Sequence, residues 1–192
     1  MQIFQLIIVL IFSVTAVSAN AVHAMQEKNS WLSQYRSTNR AAIDPRFAPY
    51  ISSITPKFYS DLGYGLGNRS LLSSQFIEAL HGTPDDIRIL HDRYLVLSAC
   101  QGHDCSNKGF LWIDTQSKVV IGSIIHYALD GSYEREPSLL IFSKKVSCSD
   151  IPSAFINDVD QWVHSHVERV VKKRFVNAEG TLDQSCLIAP QL

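Results

Sequence analysis

From Ile3 to Val17 the chain is almost wholly apolar, broken by Gln5, Ser13 and Thr15, and no charged side chain precedes Glu27. Such a run is short of the about 20 residues that a membrane-spanning helix needs, and small residues follow it at the spacing a signal peptidase reads. Residues 1–24 are therefore expected to be an export signal, cut after Ala24 or after Ala19. No Lys or Arg precedes the run, so an uncleaved anchor is the alternative. Residues 26–82 read as helical and irregular, with Trp31, Leu32 and Tyr35 on one short helical face and Pro45, Pro49 and Pro56 marking turns. Gly63, Gly65 and Gly67 form a G-x-G-x-G run with no strand before it, which predicts a loop rather than a dinucleotide fingerprint. A short helix is expected from Ser70 or Ser73 through Phe76, Ile77 and Leu80, ending near Gly82.

After Thr83-Pro84-Asp85 the period changes. Ile87 to Leu90, Tyr94 to Ala99, Phe110 to Ile113, Val119 to His126 and Leu139 to Phe142 are short runs of branched and aromatic residues separated by turn chemistry, including Asp130-Gly131-Ser132. In the second run Tyr94, Val96 and Ser98 alternate with Leu95, Leu97 and Ala99, a strand covered on both faces. Beyond them Phe155, Val159, Trp162, Val163, Val170 and Val171 recur at helical spacing. That pattern predicts a helix capped by Ser149 or Asp150, with Pro152 in its first turn and Arg169, Lys172, Lys173 and Arg174 in its last. The expected fold is α+β: an antiparallel five-stranded meander sheet with flanking helices and a long C-terminal helix, residues 25–192 forming a single domain.

Composition narrows the functions open to this chain. In 192 residues, hydrophobic side chains make up 46% and charged ones 18%, the profile of a globular protein. With 17 basic against 18 acidic residues the net charge is −1, which argues against nucleic acid as a partner. Once the signal is removed no membrane contact is expected. No G-x-S-x-G elbow, P-loop or H-E-x-x-H motif is present, so an enzyme is not expected. Neither is a cofactor or a metal, since the cysteines lack C-x2-C spacing.

Export would oxidise Cys100, Cys105, Cys148 and Cys186. Proximity pairs Cys100 with Cys105 and leaves Cys148 to Cys186. On the chain-entropy account the long loop contributes about 4 kcal/mol and the short one about 2 kcal/mol, so the first ties down the C-terminal segment and the second fixes a local shape. The short loop, Cys100-Gln101-Gly102-His103-Asp104-Cys105, lies between two expected strands. A cystine there makes the four central residues project as a knuckle with His103 at the apex. Gly102 is expected to supply a backbone conformation closed to other residues, and Asp104 to orient the imidazole. A polar group on a rigid projection suits a protein that plugs a partner's cleft, because its ordering entropy is spent during folding.

Ser98-Ala99-Cys100 and His103-Asp104-Cys105, with Gly82-Thr83-Pro84 and Tyr94 upstream, resemble the Ivy family of vertebrate lysozyme inhibitors, whose hallmark is a C-K-P-H-D-C loop between strands. The resemblance spans residues 82–128. Gln101 stands where that family has Lys, and Gly102 where it has Pro. What it implies is a periplasmic inhibitor whose loop enters the groove of lysozyme, with His103 between the two catalytic carboxyl groups, Asp104 supporting it, and Gln101, Gly102, Ser106 and Asn107 completing the contact.

The loop also fits an immunity or regulatory protein that blocks a different peptidoglycan-cleaving enzyme, an effector muramidase or a lytic transglycosylase, and leaves c-type lysozyme untouched. A structural envelope domain without a target is the third reading, and self-association into a homodimer stays open. His164 and His166 are expected at the surface, Trp112 and Trp162 in the core. The pair Asp85-Asp86 reads as a turn.

Overall fold

The stretch between residues 88 and 142 is dominated by branched and aromatic side chains, and nearly all of it is strand. The computed structural model describes residues 31–62, 69–129, 132–170 and 172–183, so the expected signal, the glycine run, the Asp130-Gly131 turn and Cys186 lie outside the described residues. The chain divides into Met1–Gln34 and Tyr35–Leu192. In the first, the described residues form one 3-10 turn, Leu32–Gln34, and Tyr35 falls beyond it.

In the second, β3 (Arg88–Leu90), β4 (Tyr94–Gln101), β5 (Asp104–Asp114), β6 (Val120–Leu129) and β7 (Ser132–Phe142) follow one another as antiparallel neighbours, after a small ladder of β1 (Tyr59–Ser60) on β2 (Ser70–Leu71). The five-stranded antiparallel meander is nevertheless incorrect. The main sheet has seven strands and is mixed, because β8 (Lys172–Val176) lies parallel to β7 and carries β9 (Leu182–Asp183) on its outer edge.

The error lies in where the C-terminal helix stops. Among the helices α1 (Thr38–Ala42), α2 (Phe47–Ile54), α3 (Leu72–Ala79) and α4 (Ser153–His166), α4 ends at His166, not near Arg174, and Val167 is already extended with φ −143° and ψ 150°. Branched Val167, Val170 and Val176 suit strand better than helix. In register with β7, Lys173 sits beside Leu139 and Phe175 beside Ile141, so Phe175 enters the core and Lys173 reaches Asp160 of α4 at 2.8 Å. Of the basic cluster, Lys172, Lys173 and Arg174 therefore belong to a strand, and Arg169 to the connection before it, rather than to a helix end. The start of α4 is also shifted: Cys148–Asp150 form a separate 3-10 turn and Pro152 precedes the helix without a side-chain cap.

Strand alternation makes two cores. Val96, Phe110, Trp112, Ile121 and Ile141 face α4, packing on Phe155, Val159, Trp162 and Val163. On the opposite face, Gly109 lies under Leu80 and Ala79 at the end of α3, and Phe142 meets Phe76 of α3 edge-on at 4.9 Å. Strand β4 is buried from Leu95 to Cys100, covered on both sides as its composition predicts. Helix α3 matches the expected helix but has no serine cap. Its first amide donates to the Phe58 carbonyl at 2.8 Å, so the residue just before β1 satisfies the orphan donor.

The β5–β6 turn is organised by Asp114, which accepts from Arg93 Nε and Nη2, from the Gln116 and Ser117 amides, and from the Ser117 hydroxyl. Burial pushes the Asp114 carboxyl up. The Arg93 guanidinium and these hydrogen bonds outweigh it and hold the group well below the usual carboxylate range. A depressed carboxyl contributes stability above its unfolded value, near pH 4, and loses that contribution as pH falls toward the folded value. Asp114→Asn is therefore expected to cost about 1.5 kcal/mol at pH 7 and much less at pH 2.5, as urea unfolding at the two pH values would measure.

Candidate functional site

The hairpin between β4 and β5 reverses at Gly102 and His103, with Gln101 and Asp104 paired beneath the turn. One step lower the register jumps. Cys100 is in register with Lys108 and Gln101 with Asp104, so Cys105, Ser106 and Asn107 bulge out of the ladder register. This bulge frees Cys105 to meet Cys100 across the hairpin, with S–S 2.02 Å and Cα–Cα 4.9 Å. Cys148 is also disulfide-bonded.

The tip is braced on two further sides. Along the free edge of β4, Gly82 N donates to Cys100 O and Cys100 N to Thr83 O, both at 3.0 Å, and Asp85 N donates to Ser98 O. The contact at Gly82 is so close that a Cβ there would fall 2.3 Å from Cys100 O, 2.5 Å from Gly102 N and 2.6 Å from the Gln101 carbonyl carbon. Only glycine lets this segment lie against the loop backbone. From the other side, the Asn107 amide donates to Leu62 O at 3.2 Å and to Gln101 Oε1 at 3.0 Å, fixing Gln101 against the body.

His103 stands at the exposed apex, as the cysteine spacing predicts, but the backbone assignment is reversed. It is His103 that takes the left-handed conformation, with φ 66°, while Gly102 has no positive φ. A Cβ on Gly102 would have no heavy atom within 4 Å. Gly102→Ala is therefore expected to raise stability by about 0.4–1 kcal/mol by restricting the unfolded chain, measurable by thermal unfolding.

The other expected contact residues divide by accessibility. Gln101 and Ser106 are half-buried, and Asn107 is buried and turned inward, a support for the loop rather than a surface on it. The Asp104 side chain lies outside the described residues. Two supports escape a reading of sequence alone. Gly82 gives only the weak signal of a turn glycine before Thr-Pro, and Asn107 is indistinguishable from a surface polar residue until the bulge rotates it.

A second cluster lies lower on the same edge. Ser98 Oγ donates to Asp85 Oδ2 at 2.5 Å, and His166 Nε2 at the end of α4 stands 3.8 Å from the same oxygen. Among the described residues no group of three or more His, Cys, Asp or Glu could hold a metal ion, and no helix is long and apolar enough to cross a membrane. Compared with known proteins, the chain matches no protein-family model, no curated protein and no solved structure.

Proposed function

We propose that this protein is an exported inhibitor of a peptidoglycan-cleaving muramidase, with lysozyme as the leading target. The observation that carries the reading is an exposed imidazole at the apex of a hairpin tip held by a cystine, by a backbone ladder at Gly82 and Thr83, and by the Asn107 amide. The tip is ordered before it meets a partner, so little conformational entropy remains to be lost on binding. A muramidase groove presents two carboxyl groups about the scissile glycosidic bond. An imidazole between them can donate to one and accept from the other, and once protonated it makes charge-assisted bonds to both. The resemblance of Ser98 to Cys105 to the Ivy loop supports the same reading, as does the apolar leader, which would deliver the cystine to the periplasm where it persists.

Gln101 bears no charge and is held by Asn107, and the nearby Lys108 ammonium donates to the Cys105 carbonyl, so the second loop position offers no cation of its own to an enzyme carboxylate. That feature favours, as the second reading, an effector muramidase or a lytic transglycosylase as the enzyme blocked. The test is turbidity clearing of bacterial walls by a panel of muramidases titrated with the purified chain. Slowed clearing by c-type lysozyme, with no clearing by the protein alone, is the expected result. Slowing only of a transglycosylase or effector enzyme selects the second reading, and no slowing of any member of the panel rejects both.

A further inference from the structure

We propose that His166 is a proton-operated positioning residue: taking one proton from solvent at Nε2, it closes onto the Asp85 carboxylate and fastens the end of α4 to the segment that seats the β4–β5 tip. The ring is already aligned for this. Its Nδ1 lies 2.8 Å from the Trp162 carbonyl, an atom that can only accept, so Nδ1 carries the hydrogen in the neutral ring. That leaves Nε2 as a bare lone pair 3.8 Å from Asp85 Oδ2, two acceptors facing each other. Protonation turns this contact into an N–H donor against a carboxylate, and nothing else in the cluster has to move far.

The groups around the ring are few. From α4 it meets the Ser165 hydroxyl at 2.9 Å and the Trp162 ring at a centroid distance of 5.4 Å. From the edge segment it meets Asp85, whose Oδ2 also accepts the Ser98 hydroxyl of β4. The charged neighbours in sequence have partners elsewhere: Asp86 lies 4.0 Å from Arg36, and Arg169, beyond Glu168, is bonded to Glu136. Asp85 is therefore the carboxylate that the imidazole faces.

Asp85 is well placed to transmit a pull. Its carbonyl accepts from the Thr38 amide of α1 at 3.2 Å, and its own amide donates to Ser98 O at 3.0 Å. Three residues earlier Gly82 touches the loop backbone. Anchoring Asp85 thus restrains the ladder Gly82–Cys100–Thr83 that holds the tip. A protonated ring donates to the carboxylate, whereas a bare lone pair opposes it, so the proton on Nε2 sets whether the contact closes. The consequence for inhibition rests on the inhibitor reading above, while the latch stands on the geometry alone.

Amide hydrogen exchange of Gly82 and Cys100 in the full chain with its cystines intact, corrected for intrinsic rates between pH 5 and 7.5, tests the proposal. Protection is expected to rise about two- to fivefold as pH falls across this range, the scale of a part-exposed ion pair, and to stay flat in His166→Gln and Asp85→Asn. His166→Lys, charged throughout, should hold the protected state at every pH. An unchanged pH response in the Gln and Asn variants, or a flat response in the unaltered chain, overturns the latch. A muramidase assay over the same pH range separates the two ideas. A working latch with no inhibition of any muramidase rejects the inhibitor and keeps the latch, and inhibition with flat protection does the reverse.

Discussion

His103→Ala is expected, on the inhibitor reading proposed above, to weaken binding to a muramidase by about 2 kcal/mol or more, roughly thirtyfold in Kd, while the protein stays folded. The size follows from placement. The imidazole is at the centre of the projecting surface, and its flanks, Gln101 and Asn107, are committed to each other. On that reading the ring would be a single desolvated polar anchor between two carboxyl groups, with its loss uncompensated. The backbone at this position complicates the variant, because His103 is left-handed at φ 66°, a conformation that His and Asn adopt more readily than Ala. His103→Asn removes the ring yet tolerates that conformation, so the pair of variants separates ring from backbone. If the asparagine variant inhibits like the unaltered chain in a titration of initial rates, the imidazole is not the contact.

The largest expected effect on stability is at Trp112. The residue has no exposed surface, stacks on Tyr94 at 4.7 Å, meets Phe155 of α4 edge-on at 5.9 Å, and donates its indole N–H to Asp158 Oδ2 at 2.8 Å. Trp112→Ala removes the side chain that joins sheet to helix and leaves a void the rigid sheet cannot close. The cost is expected to be about 3–5 kcal/mol, a large share of the 5–15 kcal/mol typical of a domain. Trp112→Phe keeps the aromatic contacts and loses the hydrogen bond, at about 1–2 kcal/mol. Urea unfolding midpoints with unchanged slopes would measure both.

The strands from Ile87 to Phe142 were legible because alternation and branched residues are local signals, and both faces of β4 could be read from its own side chains. Strand β8 was not. Val170 and Val171, just before it in sequence, continue the spacing set by Val159 and Val163, and what turns Lys172–Val176 into a strand is the open edge of β7, a partner far away in sequence. Propensity yielded to tertiary pairing. The apex was legible from the separation of Cys100 and Cys105, which leaves His103 little choice of position. Which of the two central residues turns left-handed was not, because glycine is merely permitted there and the ladder above Cys100 settles the matter. Asn107 and Gly82 act through contacts with Leu62 and Cys100 that no local pattern encodes.

The parallel pairing of β8 also has a consequence for the order of assembly. Strands β4 to β7 can zip up by successive hairpins, but β8 must wait for all of α4 before it can dock beside β7. Throughout that interval the rim from Leu139 to Phe142 stands unpaired and water-repelling, the kind of surface on which nascent chains stick to one another. The docking of Lys172–Val176 thus acts as a built-in guard against clumping, and the exposure ends only when that strand is in place.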